Sequence, residues 1–343
     1  MLRQQILHKR FKHYHCGRAI IMATSVLYRL TRGLRAEVIP PYQRISLLSL
    51  FASENIGGIE LKEWASKILK KMTRPVTLQA GGEWAPSEDK MDFEDFKLAI
   101  YDFQKRITFT RAEYILFEKH GVLPIGMAEV GSLMAQEANY KLFRGKRADD
   151  QFAITQYNYI IDTGTGTNTT VYSRPDCITQ ASNGKWDVAG QRQIDISNLV
   201  GQLEQYGYNP ATSIMFYPEI CASIMRQPFI TGSSIFGDDS TLTYALRQGI
   251  RGAIPVKNEL LYTAAGADPT IGAFDIYLVD LAQAIIGYTI PENVEVIYDP
   301  VSKNTYMDVE MAFCPLFIPR KGDNSTEYIR KGVSRITACD YAT

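Results

Sequence analysis

Residues 305–317, TYMDVEMAFCPLF, place Met307, Val309, Met311 and Phe313 on alternate positions, with Asp308, Glu310 and Ala312 between them. Side chains along a strand alternate between its two faces, so this spacing predicts a strand with one buried face, and such a strand requires a sheet. The segments AFDIYLVD (273–280), AQAIIGYTI (282–290) and VEVIYD (294–299) supply further strands just before it. Earlier in the chain the spacing changes. In GMAEVGSLMAQEANYKLFRG (126–145), Met127, Val130, Met134, Ala138 and Leu142 recur every three or four residues, which predicts a long helix stopped at Gly145. Residues 186–210 repeat the pattern with Ile196, Leu199, Val200 and Leu203, ended by Gly207 and Asn209-Pro210. A short strand SIMFY (213–217) and a helix opened by Pro218 follow. Helices early and strands late predict an α+β protein whose sheet is assembled from the end of the chain.

The region before the long helix reads differently. Pro40-Pro41 predicts extended chain and marks the start of the ordered body near Ile39. Residues 59–71, IELKEWASKILKK, put Leu61, Trp64, Ala65, Ile68 and Leu69 on one helical face and lysines on the other, which predicts an amphipathic docking helix. Residues 76–110 read as a hairpin ribbon. Two extended stretches, 76–84 and 93–110, flank a polar tip holding Gly81-Gly82, Pro86 and Lys90. In the second stretch the apolar side chains change parity: Phe96, Leu98 and Ile100 share one, Tyr101, Phe103, Ile107 and Phe109 the other. A ribbon that meets different partners along its length explains the switch, and so does a β-bulge in an ordinary sheet.

The 343 residues carry no formal net charge, but the charge is unevenly placed. Residues 1–36 hold eight basic side chains (Arg3, Lys9, Arg10, Lys12, Arg18, Arg29, Arg32 and Arg35) and no acid, leaving 29 basic against 37 acidic residues in the remainder. Such an arm reads as a solvated tail, a transit segment or a polyanion contact. Five scattered cysteines without C-x-x-C spacing fit a reducing compartment better than a disulfide framework. The apolar run AIIMATSVLY (19–28) is too short to span a bilayer, so a soluble protein without a membrane partner is expected.

Catalytic patterns are sparse in the sequence. Ile160-Ile161-Asp162-Thr163-Gly164 imitates the turn of an aspartic protease, but that chemistry needs two aspartates sharing a proton and the chain has one Asp-Thr-Gly. A loop is the better reading. His8, His13, His15 and Cys16 lie in the basic arm without a closed metal-ligand set, and His120 has no Gly-x-Ser-x-Gly partner. Phosphate-binding glycine motifs are absent from the sequence. No enzyme activity, cofactor or metal is expected, and a binding or structural role is.

The order of these elements resembles the major capsid proteins of tailed double-stranded DNA viruses, the Hong Kong 97 bacteriophage fold, which encapsulin nanocompartments share. The likeness is carried by GGEWAPSEDKMDFEDFKLAIYDFQKRITFTRAEYILFEK (81–119), similar to that family's extended loop, and by AQEANYKLFRG (135–145), similar to the end of its spine helix. KWDVAGQRQIDISNLVGQLEQYGYNPATSIMFYPEICASIM (185–225) looks like its axial domain, and the strands 274–299 and 306–318 like those returning to its peripheral domain. The resemblance implies a basic arm at 1–38, an N-terminal segment at 39–73, an extended loop at 74–110, a peripheral domain at 111–185 and 291–343, and an axial domain at 186–290. It further implies a shell of pentamers and hexamers of this chain around packaged double-stranded DNA. Separate scaffolding, portal and decoration proteins would be its partners, and the virion, assembled in host cytoplasm, its location. The arm bases listed above become DNA-facing candidates, and Trp84, Lys90, Phe93, Phe96, Leu98 and Ile100 candidates for contacts between subunits. An encapsulin shell around cargo enzymes is the alternative.

Overall fold

The computed structural model describes residues 38–56, 63–69, 93–110, 112–113, 115, 119, 122–144, 156–161, 170–175, 178–182, 186, 189–226, 240–261, 274–299, 301–302, 304–317 and 332–339. Its strands are β1 (Ala52–Asn55), β2 (Glu63–Leu69), β3 (Phe93–Ala99), β4 (Tyr101–Thr110), β5 (Gln156–Ile161), β6 (Thr170–Pro175), β7 (Ile178–Ala181) and β8 (Ser213–Pro218), followed by β9 (Gly252–Val256), β10 (Phe274–Asp280), β11 (Ala284–Tyr298), β12 (Asn304–Phe317) and β13 (Val333–Cys339). Two long helices, Val122–Arg144 and Ala189–Gln205, accompany them. The described chain divides into two compact units, one gathering 38–47, 102–138 and 290–312, the other 48–101, 139–289 and 313–339.

In the first unit, β4, β12 and the later half of β11 lie side by side, β12 in the middle. The expected alternation is there: Met307, Val309 and Met311 are buried, as are Val294 and Val296 of β11 and Phe109 of β4. The opposite face of β12 departs from expectation, because Asp308 and Ala312 are buried too. Asp308 is covered by the guanidinium of Arg106 from β4, which lies across it in a two-pronged pair with both contacts at 2.6 Å. A two-residue period cannot announce a charged residue buried by a neighbour 202 positions away. β11 is also one strand of 15 residues where two were expected. It passes straight through Pro291, which is exposed.

Residues 38–45 form a helix, where Pro40-Pro41 predicted extended chain. Proline's fixed φ near −65° is compatible with helical backbone, so the pair sits within a helical segment rather than in extended chain. Met127, Val130, Met134, Ala138 and Leu142 of the long helix are all buried, as their spacing required.

The second unit is built on a five-stranded sheet in the order β7-β13-β10-β8-β9. β10 is its centre, antiparallel to β8 and β13, and all seven of its residues are buried. The helix Ala189–Gln205 closes the core over it: Ile196, Leu199, Val200 and Leu203 pack with Trp186, Met215, Phe274, Ile276 and Ile336. Gly207 stops the helix at φ 78°, with its own N–H bonded to the Glu204 carbonyl (2.9 Å) and that of Tyr208 to Leu203 (3.0 Å). Glycine adopts this left-handed geometry without penalty. Pro218 ends β8 in an extended conformation as the cap of the short helix after it, one position earlier than expected. Val333–Cys339, which the expected division grouped with the returning strands of 291–343, lies instead inside this sheet beside β10.

The same unit carries a second sheet, β2-β3-β5-β6. Glu63–Leu69 is a strand here, correcting the predicted docking helix of 59–71. Its seven residues pair one for one with Phe93–Ala99, setting Lys67 opposite Asp95. Local periodicity is a weak prior, and a complete antiparallel ladder from a distant segment overrides it.

Candidate functional site

Of the ribbon expected at 76–110, the stretch 93–99 pairs along its full length with Glu63–Leu69. Residues 70–92, with Trp84 and Lys90, lie outside the described residues, as do the eight basic residues of the arm. Phe93, Phe96 and Leu98 sit on β3, facing Leu69, Ser66 and Trp64 across one side; on the other, Phe96 faces Ile161 and Leu98 faces Tyr159. Register therefore lines up Trp64, Leu98, Tyr159 and Tyr172 in one row across the four strands. Ile100 is the single residue between β3 and β4, which belong to different sheets. That break is the physical source of the parity change: the ribbon does meet different partners along its length, and no bulge within one sheet is involved.

Asp162-Thr163-Gly164 lies outside the described residues. Its flanks are β5 and β6, paired antiparallel with Ile161 opposite Thr170. The stretch thus lies between two paired strands of the sheet that also holds β2 and β3.

In the first unit the helix 38–45 rests its Tyr42 hydroxyl on the Met311 sulfur at 3.2 Å, and Ser46 donates to that hydroxyl at 3.2 Å. Beyond Arg106 and Asp308, the guanidinium lies 5.6 Å from the centre of the Tyr306 ring, within cation–π range. The Asp308 hydrogen bond and charge push the Arg106 pKa up. The turn between β11 and β12 is fixed by Asp299, which accepts from the Val301 N–H (2.9 Å) and the Ser302 hydroxyl (2.7 Å). The Ser302 contact, then the Val301 N–H, hold the Asp299 carboxyl below the usual range.

The second unit buries several polar groups, each with partners. Asp195 accepts from Trp186 Nε1 (2.7 Å), the Ser182 hydroxyl (2.7 Å) and Gln191 Nε2 (2.8 Å), binding the chain before the helix to the helix itself. Arg192, also buried, donates to the Thr241 hydroxyl (3.0 Å) and to the Trp186 carbonyl. At the edge of β10 the register shifts between Phe274 and Ile276, and Asp275 sits in that irregularity. It takes the Arg335 guanidinium at 2.6 Å, the Tyr277 hydroxyl at 3.2 Å and the Ala338 N–H at 3.4 Å. Ala338 accepts a φ of 57°, which non-glycine residues rarely adopt.

These networks hold structure together. Burial drives the Cys221 thiol up to about 12 against a smaller opposing pull from Arg192, and raises Cys314 and Cys339 as well. A nucleophilic cysteine requires the opposite shift. Among the described residues no three metal-binding side chains cluster, and no helix is long and apolar enough to cross a membrane.

Two of these features were legible and missed. Thr110-Arg111-Ala112-Glu113 is a capping box: Glu113 accepts from the Thr110 N–H (2.9 Å) and Thr110 Oγ1 from the Glu113 N–H (3.2 Å), so a helix begins where β4 ends. The strand β13, VSRITAC, carried a β-branched signal. Asp195 left no such trace, because its donors are gathered by the fold.

The Arg106–Asp308 sheet with its long helix, the helix-covered five-stranded sheet and the paired ribbon together define the α+β fold of Hong Kong 97-type shell proteins. No family model and no curated protein matches the sequence. Solved structures do. A chain of Mycobacterium phage Cain aligns with a TM-score of 0.53 at 12% identity, covering 86% of this chain and 90% of that one. The capsid of Myoviridae phage XM1 gives 0.53 at 11% identity over 84% and 90%. The virus-like particle from Pyrococcus furiosus gives 0.52 at 12% identity over 88% and 97%.

Proposed function

We propose that this chain is a major capsid protein that tiles an icosahedral shell around double-stranded DNA. The observation that carries the reading is a fold shared over 84% to 88% of the chain with a phage capsid and a virus-like particle. Such a role is geometric: the product of the protein is a closed surface built from copies of itself in rings of five and six. Phe93, Phe96, Leu98 and Ile100 of the ribbon, with Trp84 and Lys90, are the proposed contacts between neighbouring copies. A ribbon of this length would contribute much of an interface of obligate size, on the order of 2,000 Å² or more.

The eight basic residues of 1–36, free of acid, favour DNA as the content. Lysine and arginine near phosphates release condensed counterions, which gives favourable and salt-dependent binding. Scaffolding, portal and decoration proteins are then separate partners, and the virion is the proposed location.

The test is electron microscopy of particles purified from cells expressing the chain, joined to a nuclease-protection assay of their contents. Closed particles holding protected DNA are expected. Particles filled with a protein cargo would transfer the reading to the encapsulin class, and a protein that stays monomeric at high concentration would overturn the shell reading altogether.

A further inference from the structure

The helix 38–45 is held against Val122–Arg144 at one unusual place. Gly131 is buried in the middle of that long helix, where glycine is a poor helix former. A Cβ built on Gly131 would overlap the carbonyl oxygen of Val38, come within 3.1 Å of its carbonyl carbon and touch the Pro41 Cβ at 3.4 Å. A rigid backbone carbonyl cannot rotate aside, as the end of a long side chain could. Gly126, five residues earlier in the same helix, has nothing within 4 Å of the equivalent position. Glycine at 131 thus meets a packing demand that glycine at 126 does not.

A second contact seats the same helical segment. Val38 and Tyr42 are buried. The Tyr42 hydroxyl meets Met311 of β12. Between these contacts lies a narrow seam bordered by Val38, Tyr42, Met134, Val294, Val309 and Met311. The helix therefore bridges a notch in one element and a sulfur on another. The acid-free basic stretch ends directly before it.

We propose that residues 38–45 are a strap docked in a notch at Gly131, and that this docking fixes where the basic arm leaves the body so that shells can close. The docking half of the proposal stands on the contacts above; the closure half rests on the shell reading.

Hydrogen exchange on the full-length chain tests the docking, with Gly131→Ala and Gly126→Ala compared. Both substitutions raise helix propensity equally, so only the notch distinguishes them. In Gly131→Ala, exchange in peptides covering 42–46, where the Ser46 N–H bonds the Tyr42 carbonyl at 2.8 Å, should quicken by about tenfold or more. Peptides of 274–280 should stay as slow as before. Gly126→Ala should leave both regions protected. Equal exchange at 42–46 in the two variants overturns the docking, and so does loss of protection at 274–280 in Gly131→Ala, since the glycine would then serve folding as a whole. Electron microscopy of the same preparations tests closure. Gly131→Ala should give open or irregular shells while Gly126→Ala gives closed ones. Normal shells from a Gly131→Ala chain with a loosened strap would overturn the closure role alone. Failure of the unaltered chain to assemble would count against the shell reading and leave the exchange result standing.

Discussion

Single residues decide how the second unit tolerates its buried polar atoms. Removing the Asp195 carboxylate strands three donors, the Trp186 indole, Ser182 and Gln191, in or beside the core. Asp195→Ala should lower stability by about 3 kcal/mol or more, read as a shift in the urea midpoint, because a buried donor left without an acceptor costs about 1–3 kcal/mol. Asn at the same place keeps one acceptor oxygen and should lose less. Ala338 carries the opposite opportunity. Its left-handed φ of 57° costs an alanine about 1 kcal/mol, so Ala338→Gly should be neutral to stabilising by roughly 0.5 kcal/mol after the greater chain entropy of glycine is counted. A clear loss of stability would show that the alanine methyl has a packing role. Asp299 predicts a pH effect with a definite sign. A carboxyl lowered in the folded chain stabilises its turn above the unfolded value, about 3.9, and that contribution disappears as pH falls through the lower folded value. The Val301 amide resonance should therefore titrate with a midpoint under about 3.9, and a higher midpoint would contradict the hydrogen bonds drawn to Asp299. Cys221, Cys314 and Cys339 should ignore a thiol reagent at pH 8 in a chain whose Cys16 and Cys177 are replaced by serine, and react once urea unfolds it, since burial keeps their thiolates scarce.

At the scale of elements, what could be read from the sequence follows how locally each element is specified. The two long helices carry their own evidence: a stripe at three- and four-residue spacing, a glycine stop, and an apolar face that was buried as written. The Glu63–Leu69 strand does not. Trp64, Ala65 and Ile68 fit a helical stripe as well as a strand, and the choice is made by Phe93–Ala99, which sequence spacing cannot bring alongside. The helical segment at 38–45 went unseen for the converse reason, since a proline pair reads as extended unless the chain around it is already helical. The candidate contact residues share this limit. Phe96 and Leu98 could be named from parity, whereas their pairing with Ser66, Trp64, Ile161 and Tyr159 needed the sheet. The corrected strand boundaries also change the experiment that tests the ribbon. Cutting into 93–99 would remove paired residues, so the informative deletion replaces 71–91 with a short Gly-Ser turn and leaves β2 and β3 whole. Under the shell reading, that variant should fold cooperatively by circular dichroism and sediment as a monomer or small oligomer. Particles of unchanged size would remove the ribbon tip from the set of assembly contacts.

For the whole molecule, charge and connectivity are the features that reach furthest. Deleting residues 1–35 removes all eight arm bases and should leave a folded body whose association with DNA is weak. The full chain's binding should fall steeply with added salt, as phosphate contacts demand. Binding that ignores both the truncation and the salt would separate the arm from the polyanion. Connectivity bears on how the chain can change length. Ile100 is one residue wide, yet the strands on either side answer to different sheets. An amino acid inserted within 102–109 would turn every later side chain of β4 to the wrong face, burying Thr108 and exposing Phe109. The same insertion beside Ile100 leaves each strand's pairing as it was. The joint is a spacer in the literal sense, and it marks where the chain can gain or lose a residue without rewriting either sheet.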